Sequence, residues 1–338
     1  MSGSRSGRYY EPVHSATQQG AQPDGRGRVR EVSEEEVRNY YGRAVLKEPT
    51  WSWEIPWYFF FGGLAGASSD LALLARLAGN HKLARRALLA ALCGVAVSPV
   101  LLISDLGRPE RFYNMLRVIK PTSPMSVGTW VLSAFGTTTG IAAASEVLGV
   151  FPRLGRACEV VSALLGPPLA TYTAVLVTDT SVPVWHEARR ELPLVFAASS
   201  AASAGAAAVI LTPVDEAGPA RRLAAGGVLA EIGAVELMKR RLGGFLAEPY
   251  ETEEAGRFDK LSKVFSVAGA ALTVFAGRRR RSAAVAAGAM ILTGATLERW
   301  SVFRAGFQSA RDPKYTVMPQ RERQRERQRE RDAAGGTG

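Results

Sequence analysis

Two long stretches without a single charge constrain this chain more than anything else in it. Residues 87–104 hold 18 such positions and residues 121–145 hold 25. At about 1.5 Å of rise per residue, helices of that length reach across, or nearly across, a hydrocarbon core roughly 30 Å thick. The expected fold class is therefore all-α, a polytopic integral membrane protein with about eight transmembrane helices in a bundle.

The average hides this. A mean hydropathy of +0.00 combines a very apolar middle with two polar ends, and three regions are expected. Residues 1–50 form a polar, largely disordered N-terminal region in which Ser33 and Glu36 fit a capping box. Residues 51–310 form the membrane domain, and residues 311–338 a charged tail. In that tail, 321–332 is a low-complexity Arg/Glu/Gln repeat, read as solvated. No cleavable signal peptide is expected, because the first 50 residues are polar and charged.

Helical spans are expected at 55–77, 83–104, 124–148, 159–178, 192–212, 222–238, 263–277 and 282–303, the last three being less apolar. Gly62, Gly63 and Gly66 give the first span a small-residue packing face. Gly166-Pro-Pro is expected to kink the fourth. The seventh has only 14 charge-free residues (264–277), so Lys263 and Arg278 should snorkel. Trp51, Trp53, Trp57 and Tyr58 arrive together, as in an interfacial aromatic belt.

The net charge of +11 does not indicate nucleic acid. Much of the excess lies in short clusters between apolar runs, at Arg85-Arg86, Arg221-Arg222 and Arg278 to Arg281, where it serves as topology signal and lipid-headgroup contact. The short-loop face carrying these clusters is expected to be cytoplasmic, with both termini outside the plasma membrane. The 2 cysteines, Cys93 and Cys158, read as small buried side chains. They cannot ligate a four-cysteine iron–sulfur cluster, and no histidine lies within a span to hold a haem. No metal site is expected.

Two groups of polar residues stand out. Asp70, Glu146, Glu231, Glu236, Glu298 and Arg299 fall inside spans, where a charge costs at least ~2.5 kcal/mol on insertion scales. Interhelical polar contacts and a proton path are both open readings. Glu298 and Arg299 project about 100° apart on one helix, so each is expected to pair with another span. At the terminus-bearing rim, Glu54 and Tyr58 are spaced i, i+4, Asp105 and Arg108 close the second span, and Tyr172 lies about two turns (~5.4 Å each) inside the fourth. A carboxylate, an arginine and two phenols around an apolar slot can bind quinone carbonyls and handle protons. The alternative is a belt tyrosine and a loop clamp. A secondary transporter is disfavoured, because no internal repeat pairs broken helices.

Several segments recur in an order that resembles the NrfD/polysulfide-reductase family of membrane subunits. They are Trp57-Tyr-Phe-Phe-Phe-Gly-Gly-Leu-Ala-Gly66, Asp105-Leu-Gly-Arg-Pro109, Pro121-Thr-Ser-Pro-Met-Ser126 with Gly128 and Trp130, Tyr172 followed by Pro183-Val-Trp185, and Gly294-Ala-Thr-Leu-Glu-Arg299. The resemblance covers roughly residues 51–318. It implies an eight-helix, haem-free subunit that exchanges electrons between a menaquinone-type quinone and a ferredoxin-like iron–sulfur subunit with four clusters. That subunit would in turn serve a molybdopterin catalytic subunit. It also implies a quinone pocket at the outer ends of the first four helices, mapping to Glu54, Tyr58, Asp105 and Tyr172. Glu54 and Tyr58 stand where some relatives carry an amide and a histidine. Arg108 and Arg299 belong to matched motifs; Asp70 matches none. Arg111, Arg117, Lys120 and Arg189 would face the partner.

Overall fold

A computed structural model describes residues 46–335. The expected N-terminal capping box lies outside the described residues. Among the described residues eight helices make the bundle: α1 Glu54–Leu77, α2 His81–Ser104, α3 Pro124–Leu148, α4 Pro152–Thr178, α6 Leu192–Leu211, α7 Gly218–Glu251, α8 Glu253–Phe275 and α9 Arg281–Arg311. A short helix, α5 Pro183–Glu187, precedes α6, and α10 Lys314–Gly335 follows α9. No strand occurs among the described residues. The protein is an all-α, multi-pass membrane protein.

Five helices, α1, α2, α3, α4 and α6, are long and apolar enough to cross a membrane on composition alone. The other three meet the length but carry more charge. α8 shows why that is tolerated. It begins ten residues ahead of the expected 263, because its polar half is neutralised across the bundle. Lys239 Nζ lies 2.8 Å from Asp259, and Lys263 Nζ lies 2.9 Å from Glu236. Lys263 therefore pairs with a neighbouring helix at a half-exposed position.

Sequential helices pair as hairpins, α1 with α2, α3 with α4, α6 with α7 and α8 with α9. α1 and α6 join the two halves, each touching helices of both. Their composition allows this. α6 is mostly Ala, Ser and Gly, and α1 approaches α4 where Gly66 meets Gly166: a Cβ on Gly66 would lie 2.4 Å from the Gly166 carbonyl oxygen. Gly63 likewise faces Ser200, whereas a side chain at Gly62 would meet nothing. The small-residue face of α1 is thus Gly63 and Gly66.

Polar contacts hold the ends. On the short-loop face, Asn80 caps α2 through the Leu83 amide (3.0 Å) and donates to the Glu216 carbonyl (2.9 Å). Arg281 donates to the carbonyls of Val209 (2.9 Å) and Thr212 (2.8 Å), closing the last turn of α6. Arg76 bridges Glu146 (3.1 Å) and Glu159 (2.7 Å), tying α1 to α3 and α4. Mid-helix apolar side chains such as Leu164, Leu229 and Val267 point outward, as a lipid-facing surface requires. Cys158 is buried as expected, but Cys93 is exposed, on the outer side of α2.

Candidate functional site

On the terminus-bearing rim the chain leaves α2 through a 3-10 helix, Pro109–Leu116, in which no residue is buried. Three prolines in the segment, at 109, 121 and 124, remove amide donors and keep it from continuing as α-helix. Between this segment and α1, α2, α3 and α4 lies a recess of about 60 Å³, lined by Tyr58, Asp105, Met115, Thr129 and Tyr172 among others.

Tyr58 is fully buried, and its hydroxyl has no hydrogen-bond partner among the described residues. A buried phenol O–H usually finds a partner, so this one is available to a ligand. It is not a belt aromatic. Trp53 is the aromatic that faces outward, while Trp51 stacks on Trp185 at 5.8 Å. The Tyr172 ring meets Tyr58 edge-on, with centroids 6.4 Å apart. Its seat is made by Gly128 on α3, where a Cβ would lie 2.0 Å from Tyr172 Cε2.

Asp105 Oδ1 accepts from the Ser52 amide (2.9 Å) and sits 2.5 Å from the Ser52 hydroxyl. The same hydroxyl is 2.5 Å from Glu54 Oε2. One hydroxyl hydrogen serves one carboxylate at a time, so this trio can seat an added proton between the two acids. Glu54 thus joins the recess through Ser52, a residue that its Trp-Ser-Trp-Glu surroundings do not flag. Arg108 is exposed and does not line the recess. It occupies the N-cap position of the 3-10 helix and makes no side-chain capping bond there.

The recess alone is smaller than the 300–1,000 Å³ typical of small-molecule sites. It shares Leu102, Met115 and Thr129 with a second, apolar cleft of about 340 Å³ between α2, α3 and the 3-10 helix. The two adjoin at those residues, the cleft offering apolar walls and the recess a polar edge. The orphaned Tyr58 hydroxyl and the Asp105 carboxylate fit a quinone's carbonyl acceptors and its hydroxyls when reduced.

The second polar group divides. Glu231, Glu298 and Arg299 are brought together, all buried, by α7 and α9. Arg299 Nη1 donates to Glu298 Oε2 (3.2 Å), so these neighbours do pair, contrary to the expectation from their 100° separation. The arginine is long enough to fold back while its other nitrogen donates to the Phe196 carbonyl (2.9 Å) and the Ser200 hydroxyl (3.3 Å). Its guanidinium lies 3.7 Å from the Phe196 ring centre. Neither Glu231 oxygen makes a hydrogen bond of good geometry, although the Ser199 hydroxyl of α6 lies beside it. Glu236 lies apart, half-exposed and paired with Lys263. Asp70 is elsewhere again, on α1 beside Gly166 of α4.

A comparison with curated proteins gave no match. The sequence model of the polysulphide reductase NrfD family matches residues 44–309, which take in the eight long helices and the rim just described. That is well over half of the chain. The protein belongs to the polysulphide reductase NrfD family, membrane subunits of molybdopterin oxidoreductase complexes.

Proposed function

We propose that this subunit binds a menaquinone-type quinone at the rim recess and exchanges electrons with a ferredoxin-like iron–sulfur subunit carrying four clusters, itself bound to a molybdopterin catalytic subunit. The observation that carries the reading is the buried, unpartnered Tyr58 hydroxyl beside Tyr172 and Asp105, next to an apolar cleft of about 340 Å³. When bound, the quinone couple supplies two electrons and two protons. Tyr58 donates a hydrogen bond toward the ring oxygen, and Tyr172, its own ring seated on Gly128, walls the recess beside it. Asp105 accepts or returns a proton, and Ser52 connects it to Glu54 at the aqueous rim. The iron–sulfur partner docks on this rim against Arg111, Arg117, Lys120 and Arg189. The short, arginine-bearing loops face the cytoplasm, so the recess and both termini are outside the plasma membrane.

The test uses the assembled complex carrying Tyr172→Phe, Tyr58→Phe or Asp105→Asn. Assembly should persist while quinol-linked electron flow falls at least tenfold. Full flow in all three would reject the pocket.

A second reading, a quinone-free anchor that moves protons, is favoured by the buried Glu231–Glu298–Arg299 cluster, two carboxylates beside one guanidinium. It predicts that Glu231→Gln or Asp70→Asn abolishes proton translocation, and that the purified complex retains no quinone.

A further inference from the structure

On the opposite face, a pocket of about 460 Å³ opens between the start of α7 and the end of α8, lined by Gly218, Arg221, Arg222, Thr273, Val274 and Arg278. The guanidiniums of Arg221 and Arg222 converge on Gly218, each about 4 Å (3.8 and 3.9 Å) from where a Cβ there would stand. Arg278 arrives from the α8–α9 turn.

None of the three makes an ion pair among the described residues. Arg221 donates to the Val214 carbonyl (2.7 Å), and Asp215 acts on it only through space, so three arginines face one carboxylate and the cavity keeps a net positive charge. The nearby Glu216 is taken by Lys82 at 2.6 Å. Neighbouring arginines on this face have other work, since Arg281 closes the end of α6. Three like charges around one cavity call for an anion.

The wall beneath is greasy and open to lipid. Arg222 shares a helix face with Ala225 and Leu229, and Val274 shares one with Val267. Leu229, Val267 and Val274 are all exposed. An anion seat continuous with an outward apolar strip matches an amphiphile rather than a soluble anion.

We infer that Arg221, Arg222 and Arg278 form a headgroup site for one anionic phospholipid, with its acyl chains lying along Leu229 and Val274. The site binds through phosphate oxygens to guanidinium donors. It is independent of the quinone reading.

The full-length chain, purified in neutral detergent, is titrated with phosphatidylglycerol or phosphatidylcholine, and bound lipids are counted by native mass spectrometry. The chain should prefer phosphatidylglycerol. Arg222→Gln with Arg278→Gln should weaken that binding about thirtyfold, with Arg221 left intact because it also anchors the Val214 turn. Arg279→Gln with Arg280→Gln, on the same turn but outside the pocket, should change it less than threefold. Equal affinity for both lipids, equal loss in the two double variants, or displacement by millimolar inorganic phosphate would each overturn the inference. Unaltered thermal unfolding of each variant is the control for folding.

Discussion

Gly128→Ala is the sharpest probe of the recess, because it touches the site without altering any polar atom. The added carbon would lie 2.0 Å from Cε2, 2.6 Å from Cδ2 and 2.8 Å from Cζ of Tyr172. Non-bonded carbons rest about 3.5–4.0 Å apart, so the ring must retreat by about 1.5 Å. Tyr58 closes one side of the recess, so the retreat separates α3 from α4 or drives the phenol outward. Overpacking of this kind costs about 1–3 kcal/mol. A displacement of about 1 Å at a reacting group can lower a rate about a hundredfold. Thermal unfolding in detergent reads the first effect, and quinol-driven electron flow in the complex reads the second. Because the ring itself is the obstacle, adding Tyr172→Leu to Gly128→Ala should recover most of the lost stability, a coupling of about 1–3 kcal/mol, while flow stays low. A Gly128→Ala protein that unfolds and turns over like the parent would refute the argument. So would a Tyr172→Leu partner that relieves nothing.

Two further outcomes follow from the buried and peripheral charges. Arg299→Met leaves Glu298 and Glu231 buried without a countercharge and should destabilise the protein by about 3–5 kcal/mol; adding Glu231→Gln and Glu298→Gln should restore much of that, and a neutral Arg299→Met in the same unfolding assay would contradict the pairing. Tyr315, outside the spans, is buried against Phe245 and donates to Glu248 at 2.9 Å. Burial, then the Glu248 hydrogen bond and carboxylate, push its phenol well above the ordinary value. A pKa raised in the folded state stabilises fully below the unfolded value of about 10 and is lost as pH climbs through the folded one. Tyr315→Phe should therefore flatten the alkaline limb of a stability profile taken between about pH 9 and 12, and an unchanged limb would count against that role.

Much of the fold was legible because bilayer thickness translates directly into uncharged length. The runs at 87–104 and 121–145 needed no further information. α8 was less legible because its charges are cancelled by residues far away in sequence: Lys239 answers Asp259, and Glu236 answers Lys263. Periodicity carries no sign of such pairs. At the rim, the types and spacing of Tyr58, Asp105 and Tyr172 were visible. Which of them share a cavity was not. Arg108 follows Asp105 by three positions, yet it is exposed and does not line the recess. Ser52 was silent, and Gly128 stood out only as a motif position with no role attached, since a small hydroxyl and a missing side chain acquire meaning only from what packs against them. The Glu298–Arg299 contact was misread by treating side chains as rigid spokes.

Helix α1 carries Tyr58 and Phe59 side by side, and through them it touches two centres. Both line the rim recess, and Phe59 also packs on Phe196 at 5.7 Å, the ring that supports Arg299. A twist of this one rod would move a phenol on one side and the platform under a buried guanidinium on the other. Neither can be retuned alone. The close Gly63 and Gly66 contacts act as its rotational stop, so bulkier residues there should disturb both centres at once.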